Sequence, residues 1–173
     1  REEGAGHGEL FVAEYQSAGR GRFTRRWSAP PDSAITMSIL ICPEFSPQKA
    51  PMLTLVMGLS VAQAVADLGL DVGIKWPNDV VVSRKKICGI LTEMTMKQDK
   101  IGCAVIGVGI NVNMDSFPEE MADKATSLYL ESGHLFDRAE VTGLVMKHFE
   151  ENYEKFVETE DLSGLKPDYE KLL

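Results

Sequence analysis

The residues best suited to do chemistry lie in one stretch, Gln16-Ser17-Ala18-Gly19-Arg20-Gly21-Arg22-Phe23-Thr24-Arg25-Arg26-Trp27, where four arginines fall within seven positions. The whole chain carries a formal net charge of −8. A local excess of the opposite sign points to an anion held at one place rather than to a generally basic surface. Gly19 and Gly21 alternate with Arg20 and Arg22. Glycine allows sharp turns and close approach of backbone to a ligand, and guanidinium forks clamp carboxylate or phosphate at two points. Trp27 adds an aromatic plane beside that charge. The plain alternative is a solvated basic loop, since charge runs commonly face water.

Three further stretches bear on the same chemistry. In Lys75-Trp76-Pro77-Asn78-Asp79, a lysine at a strand end is a point charge for a phosphate or carboxyl oxygen. The turn fixes it, and Asn78 or Asp79 could orient it or hold a metal; an ordinary turn with an exposed lysine is the alternative. Lys85-Lys86-Ile87-Cys88-Gly89-Ile90-Leu91-Thr92-Glu93 joins a basic turn to a strand carrying a glycine, a sign of close approach by another backbone or a ligand. Gly107-Val108-Gly109-Ile110-Asn111-Val112-Asn113 places two glycines at a strand end. It is not a dinucleotide fingerprint, because Val112 stands at the third glycine position and no helix opens there. No Gly-x-x-x-x-Gly-Lys-Ser/Thr phosphate loop occurs, and no serine, cysteine or histidine stands in a nucleophile arrangement. Arg20, Arg22 and Lys75, with a tryptophan and two glycine-bearing strands, suit an anionic, nucleotide-like ligand handled by electrostatics rather than through a covalent enzyme intermediate. The residues alone reach no substrate.

The elements that must position these residues can be read in chain order. Glu9 to Glu14 is a short apolar run, expected as a buried strand that delivers the chain into the Arg/Gly loop. Ala34 to Cys42 is a strand rich in β-branched residues. Pro51 and Gly69 bracket a helix over Met52 to Leu68 that is apolar nearly all round, hence buried. Asp71 to Trp76, Val80 to Ser83, Ile87 to Thr95 and Ile101 to Asn111 are strands at short spacing, an antiparallel meander. Asp137-x-x-Glu140 is a capping box, opening a helix to about Val157 whose one face carries Val141, Leu144, Val145, Phe149, Tyr153 and Phe156. Pro167 opens a last short helix, Asp168 to Leu173. The order implies an α+β domain with a mixed or antiparallel sheet.

At 173 residues the chain makes one domain, 1–173, with room for a sizeable core. Twenty-six acids against 18 bases argue against broad nucleic-acid binding. Cys42, Cys88 and Cys103 are widely spaced, with no Cys-x-x-Cys pair, so they are expected as buried, unpaired thiols in a reducing compartment. His7, His134 and His148 show no ligand spacing. No unbroken apolar run reaches the roughly 18 residues of a membrane span. Arg1 does not read as a native start; Arg1 to Gly8 reads as a helix end and a glycine-rich loop, with an element expected upstream.

Taken together, Gly19-Arg20-Gly21-Arg22-x-x-Arg25-x-Trp27, Lys75-Trp76-Pro77-Asn78-Asp79, Lys86-Ile87-x-Gly89-Ile90-Leu91-x-Glu93 and Gly107-x-Gly109-Ile110-Asn111 resemble, in order and spacing, the motifs of biotin–protein ligases. The similarity runs from about Leu10 to Phe156, and Ala125-Thr126-Ser127-Leu128 resembles the segment before that family's late helix. The resemblance implies the fold shared by class II aminoacyl-tRNA synthetases and biotin synthetases. It implies that biotin and MgATP give biotinyl-5′-AMP and pyrophosphate, and that a lysine of a biotin carboxyl carrier protein, a subunit of acetyl-CoA carboxylase or a related carboxylase, then takes the biotin. By resemblance, Arg20, Arg22 and Lys75 are catalytic. Gln16, Gly19, Gly21, Gly107, Val108 and Gly109 join them around biotin. Arg22, Trp27, Lys86 and Asn111 lie toward ATP and the adenylate. Mg²⁺ comes with ATP, held mainly by phosphates and water, so no metal ligands are named. A cytoplasmic enzyme, able to form a homodimer, with no membrane or nucleic-acid partner, completes the expectation.

The chain departs from that pattern at Thr24, where many members carry glycine; a φ above zero there would strain threonine. An upstream Ser/Thr-Thr-Asn-like motif, a C-terminal β-barrel and an N-terminal helix-turn-helix are not in the sequence, so a domain trimmed at both ends is expected. The alternatives are a lipoate– or octanoyl–protein ligase or transferase, whose Arg-Arg-x-Ser-Gly-Gly-Gly-like signature does not occur here, and a non-catalytic biotin or adenylate sensor.

Overall fold

The computed structural model describes residues 4–24, 26–77 and 79–173. Arg25 and Asn78, both named in the motifs above, lie outside the described residues. Six strands form one sheet: β1 (Leu10–Val12), β2 (Ala34–Ile41), β3 (Val72–Lys75), β4 (Asp79–Val82), β5 (Lys85–Lys97) and β6 (Lys100–Asn111), in spatial order β1-β2-β6-β5-β4-β3. Every ladder is antiparallel, and the mixed alternative reduces to one isolated parallel bridge, Lys86 to Ala125. The expected meander is present as β3 to β6.

Period-two alternation along β2, β5 and β6 sends one set of side chains to a helix-covered face. Ile35, Met37, Ile39 and Ile41 of β2 and Ala104, Ile106, Val108 and Ile110 of β6 are buried there. Against them lies α1 (Met52–Asp67), eleven of whose sixteen residues are buried, in keeping with its apolar composition. It ends at Gly69, whose φ of 84° is the left-handed turn that glycine supplies without a Cβ clash. By length and composition Pro47–Asp67 could cross a membrane, its most apolar window having a mean hydropathy of 1.4, but 67% of that window is buried inside the protein, as in a core helix. A second helix, α2 (Leu128–Ser132), was not anticipated; Ser127 caps it by accepting from Leu130 N at 3.1 Å. The long α3 (Arg138–Thr159) starts at Asp137, whose carboxylate accepts from Ala139 N and Glu140 N. It packs on α1 through Val145, Phe149 and Phe156, with Asn152 Nδ2 donating to Ser60 Oγ at 3.0 Å and Gln63 Oε1 at 2.7 Å. A last short helix, α4 (Lys166–Glu170), begins one residue before Pro167.

Two expectations need correction. The stretch Glu9 to Glu14 is not a buried strand: β1 is three residues long, sits at the sheet edge, and leaves Leu10, Phe11 and Val12 exposed. α1 packs chiefly on β3 to β6 and α3 on β2, leaving β1 outside the covered strands, and a short apolar run reads the same whether or not a layer covers it. The cysteines are not all unpaired either. Cys42 follows β2 directly opposite Cys103 of β6, and the two are joined as a disulfide; Cys88 alone is free, and buried. Sixty-one residues separate the partners in sequence, so only strand register brings them together.

Candidate active site

Residues of the alternate set face away from the helices, and cross-strand register sorts them into rows. Lys75 pairs with Asp79, Asp79 with Gly89, Gly89 with Gly109, and Gly109 with Thr36, so a single row crosses five strands. A neighbouring row runs Leu91, Gly107, Ser38, Phe11. Directly opposed residues of an antiparallel pair project to one side, so glycine at 89, 107 and 109 leaves a trough on the open face with Lys75 at its far end.

Side chains dip into that trough. The Lys86 ammonium lies over Gly89, where an added Cβ would meet Nζ at 3.1 Å, and it pairs with Asp79 Oδ1 at 2.6 Å, close enough for attraction though not aligned as a hydrogen bond. The indole of Trp27 lies on Gly109, where an added Cβ would come within 2.5 Å of ring carbons. Its Nε1 is buried without a hydrogen-bond partner. Gly109 thus accommodates a tryptophan of the chain itself, while Gly107 keeps ordinary clearance, with Leu91 O 3.4 Å from the added Cβ.

The Arg/Gly stretch forms a loop above the trough, pinched together at its neck. Trp27 N donates to Gly19 O at 3.0 Å, and Arg20 bridges Arg26 in antiparallel fashion. Gly19 is required where the chain crosses itself: an added Cβ would meet Trp27 O at 2.5 Å and Gln16 Oε1 at 2.7 Å. Among the described residues of the loop, Phe23 is the left-handed one, φ 54°, one position before the Thr24 at which strain was expected. The Arg22 guanidinium lies 5.0 Å from the Phe23 ring centroid. Between loop and sheet is a cleft of about 590 Å³, walled by Arg20, Arg22, Phe23 and Arg26 and floored by Leu91 and Glu93. Three guanidinium groups and one carboxylate give it a positive balance in a chain of net charge −8.

The structure therefore brings Gly19, Arg20, Gly21 and Arg22 to one cleft, and Lys75, Lys86, Gly109 and Trp27 to one row. Gln16 is exposed at the loop base. Two candidates sit differently. Val108 turns its side chain into the helix-covered core, so that side chain is not part of the open face. Asn111 is buried, its Nδ2 donating to Thr126 O at 3.0 Å and, at 3.5 Å, to Lys86 O, which ties the end of β6 to the start of β5. Burial pushes the Cys88 thiol far up, more than nearby Lys86 offsets, so it stays protonated and is no nucleophile. Sequence reading assigned no role to Glu93, although alternation from Gly89 through Leu91 places it on the open face. It also missed Arg138, which grips both flanks of the loop through Glu14 at 2.8 Å and Asp32 at 3.2 Å; no local signal marks that arginine.

An open-faced antiparallel sheet that holds cations and a closing loop over glycine positions matches a known family. The model of the biotin/lipoate A/B protein ligase family matches residues 2–111, and the chain belongs to that family. It is 43% identical over 156 residues to the bifunctional ligase/repressor BirA of Bacillus spizizenii, covering 88% of this chain and 48% of the relative. It is 35% identical over 166 residues to BirA of Escherichia coli, covering 95% and 51%. The chain thus spans about half the length of these curated relatives. Among solved structures, the biotin protein ligase of Aquifex aeolicus in complex with biotin and ATP superposes with a TM-score of 0.77 at 38% identity, over 91% of this chain and 65% of that one.

Proposed function

We propose that this chain carries the adenylate-forming centre of a biotin–protein ligase. The observation that carries the reading is the row Lys75, Asp79, Gly89, Gly109 across the open face beside a cleft walled by three arginines. The names of the relatives and the biotin and ATP in the Aquifex complex support it. Attack of a biotin carboxylate oxygen on the α-phosphorus of ATP brings two anions together; a P–O bond breaks and pyrophosphate leaves. Arg20, Arg22 and Lys75 offset that repulsion, each such preorganised contact typically being worth on the order of 3–4 kcal/mol of barrier. Gln16, Gly19, Gly21, Gly107 and the backbone at Val108 and Gly109 frame biotin. Trp27 offers its ring to the adenine and Lys86 its charge to a phosphate, while Asn111 holds the strand ends around them. The carrier lysine then attacks the biotinyl carbonyl carbon as the free amine; the C–O bond to phosphate breaks, AMP leaves and the amine proton passes to solvent. A loop closed over the site excludes water from the mixed anhydride.

Among the described residues no group of three His, Cys, Asp or Glu side chains could cage a cation. Asp79, paired with Lys86, is the carboxylate in the row, so Mg²⁺ would ride on the triphosphate and its water, with at most Asp79 beside it. We place the reaction in the cytoplasm, on a biotin carboxyl carrier protein, with a homodimer favoured by the open edge of β1. The cysteines, two of them joined, no longer bear on the compartment.

Biotin-dependent exchange of pyrophosphate into ATP tests the reading. Wild-type chain should exchange with biotin and not with lipoate, and Lys75→Ala should lower kcat by about 10²- to 10³-fold. Exchange with lipoate instead would favour the other branch of the family. Tight biotin binding without exchange would favour a sensor.

A further inference from the structure

We propose that Glu93 is the resting counter-ion of Arg20, and that an anionic ligand must take the arginine from it for the loop to close; this rests on the reading of the cleft as a site for an anionic substrate. The loop has two ionic attachments of different kinds. At its base, Arg138 holds Glu14 and Asp32, and the same guanidinium donates to Ala34 O at 3.1 Å, so the flanks are fixed to both α3 and β2. Just past its neck, Arg20 Nη2 donates to Glu93 Oε2 at 2.8 Å, joining residues 73 apart in sequence. This second contact engages a single guanidinium nitrogen and is open to water, with side-chain exposures of 71% and 50%.

Exposed ion pairs of that kind are weak and exchangeable, whereas a guanidinium grips a carboxylate or phosphate more strongly with two parallel bonds. Glu93 is also the one carboxylate lining the cleft among the described residues. A negative charge in a cleft built for anions opposes the ligand unless a cation covers it. In the resting state Arg20 covers it, and the Arg20 arm of the loop is held near the sheet. When an anion draws Arg20 away, Glu93 is uncovered and pulls it back. The pair therefore sets how much ligand is needed to close the loop. Glu93 acts through Arg20 and is a positioning residue.

The test uses the whole chain as wild type, Glu93→Gln and Glu93→Asp. In ligand-free protein, backbone amides of 19–27 should exchange roughly two- to five-fold faster in Glu93→Gln, the range set by an exposed ion pair, with Glu93→Asp closer to wild type. Raising salt should speed wild-type exchange toward the Glu93→Gln rate and leave that variant unmoved. In pyrophosphate exchange, the KM for biotin should fall roughly two- to five-fold in Glu93→Gln, by more than any change in kcat. Unchanged amide exchange, or a KM that rises, would overturn the proposal. If wild type shows no biotin-dependent exchange while the ligand-free arm behaves as expected, the substrate assignment fails and the counter-ion role stands.

Discussion

The two faces of the central sheet are made by the same strands and differ in almost every physical respect. On β6, Ile106, Val108 and Ile110 turn toward α1 and are buried, while Gly107 and Gly109, interleaved with them, turn the other way onto the open trough. On β5, Ile90 faces the helices while Gly89, Leu91 and Glu93 face the loop. The covered face gains stability from apolar side chains buried against the helices. The open face gives up that packing: its glycines forgo side-chain burial, and the Trp27 indole and the Lys86 ammonium approach the backbone there. One strand can serve both ends because a two-residue period keeps the two sets of side chains apart.

Substitutions on alternate residues of β6 should act differently on the two faces. Ile106→Ala, on the covered face, should cost about 2–5 kcal/mol in urea unfolding through lost burial and an unfilled cavity. A loss well under 1 kcal/mol would mean that this face is less tightly filled than its burial implies. Gly109→Ala, on the open face, forces a methyl into the Trp27 ring and should cost about 1–3 kcal/mol by overpacking. Its larger mark should be functional: altered Trp27 fluorescence and weaker adenylate retention. Unchanged emission would show that the indole does not rest on Gly109.

The smallest expected effect sharpens the covered side. Tyr169 packs against the core with a buried hydroxyl that has no partner, and burial pushes its pKa up to about 12. The folded state therefore holds that proton more tightly than the unfolded chain does. The contribution is complete below the ordinary tyrosine value near 10 and is lost as pH rises toward 12. Tyr169→Phe should flatten the fall in stability across that window and cost little at neutral pH, since an unsatisfied group is removed. Equal alkaline slopes would place the hydroxyl in water.

Legibility from sequence followed the range of the interaction. Asp137 was readable as a cap because its partners are two and three residues away, and Gly69 as a helix stop because the left-handed turn is local. The β5 and β6 strands were readable from alternation, within two residues at each end. The edge position of β1 was not, because exposure depends on where the helices end up. The Cys42–Cys103 pair was hidden by its separation in sequence, as was Arg138, which reaches residues more than 100 positions away.

By itself the sequence determined the elements, the family motifs and which residues carry charge, since each of these is written in local spacing and residue type. Only the tertiary structure decided that Lys75, Asp79, Gly89 and Gly109 share a row, that Trp27 takes the place above Gly109, that Val108 faces the core, and that Glu93 answers Arg20. Those facts come from strand register and from what packs on each face, and both are settled between segments distant in the chain.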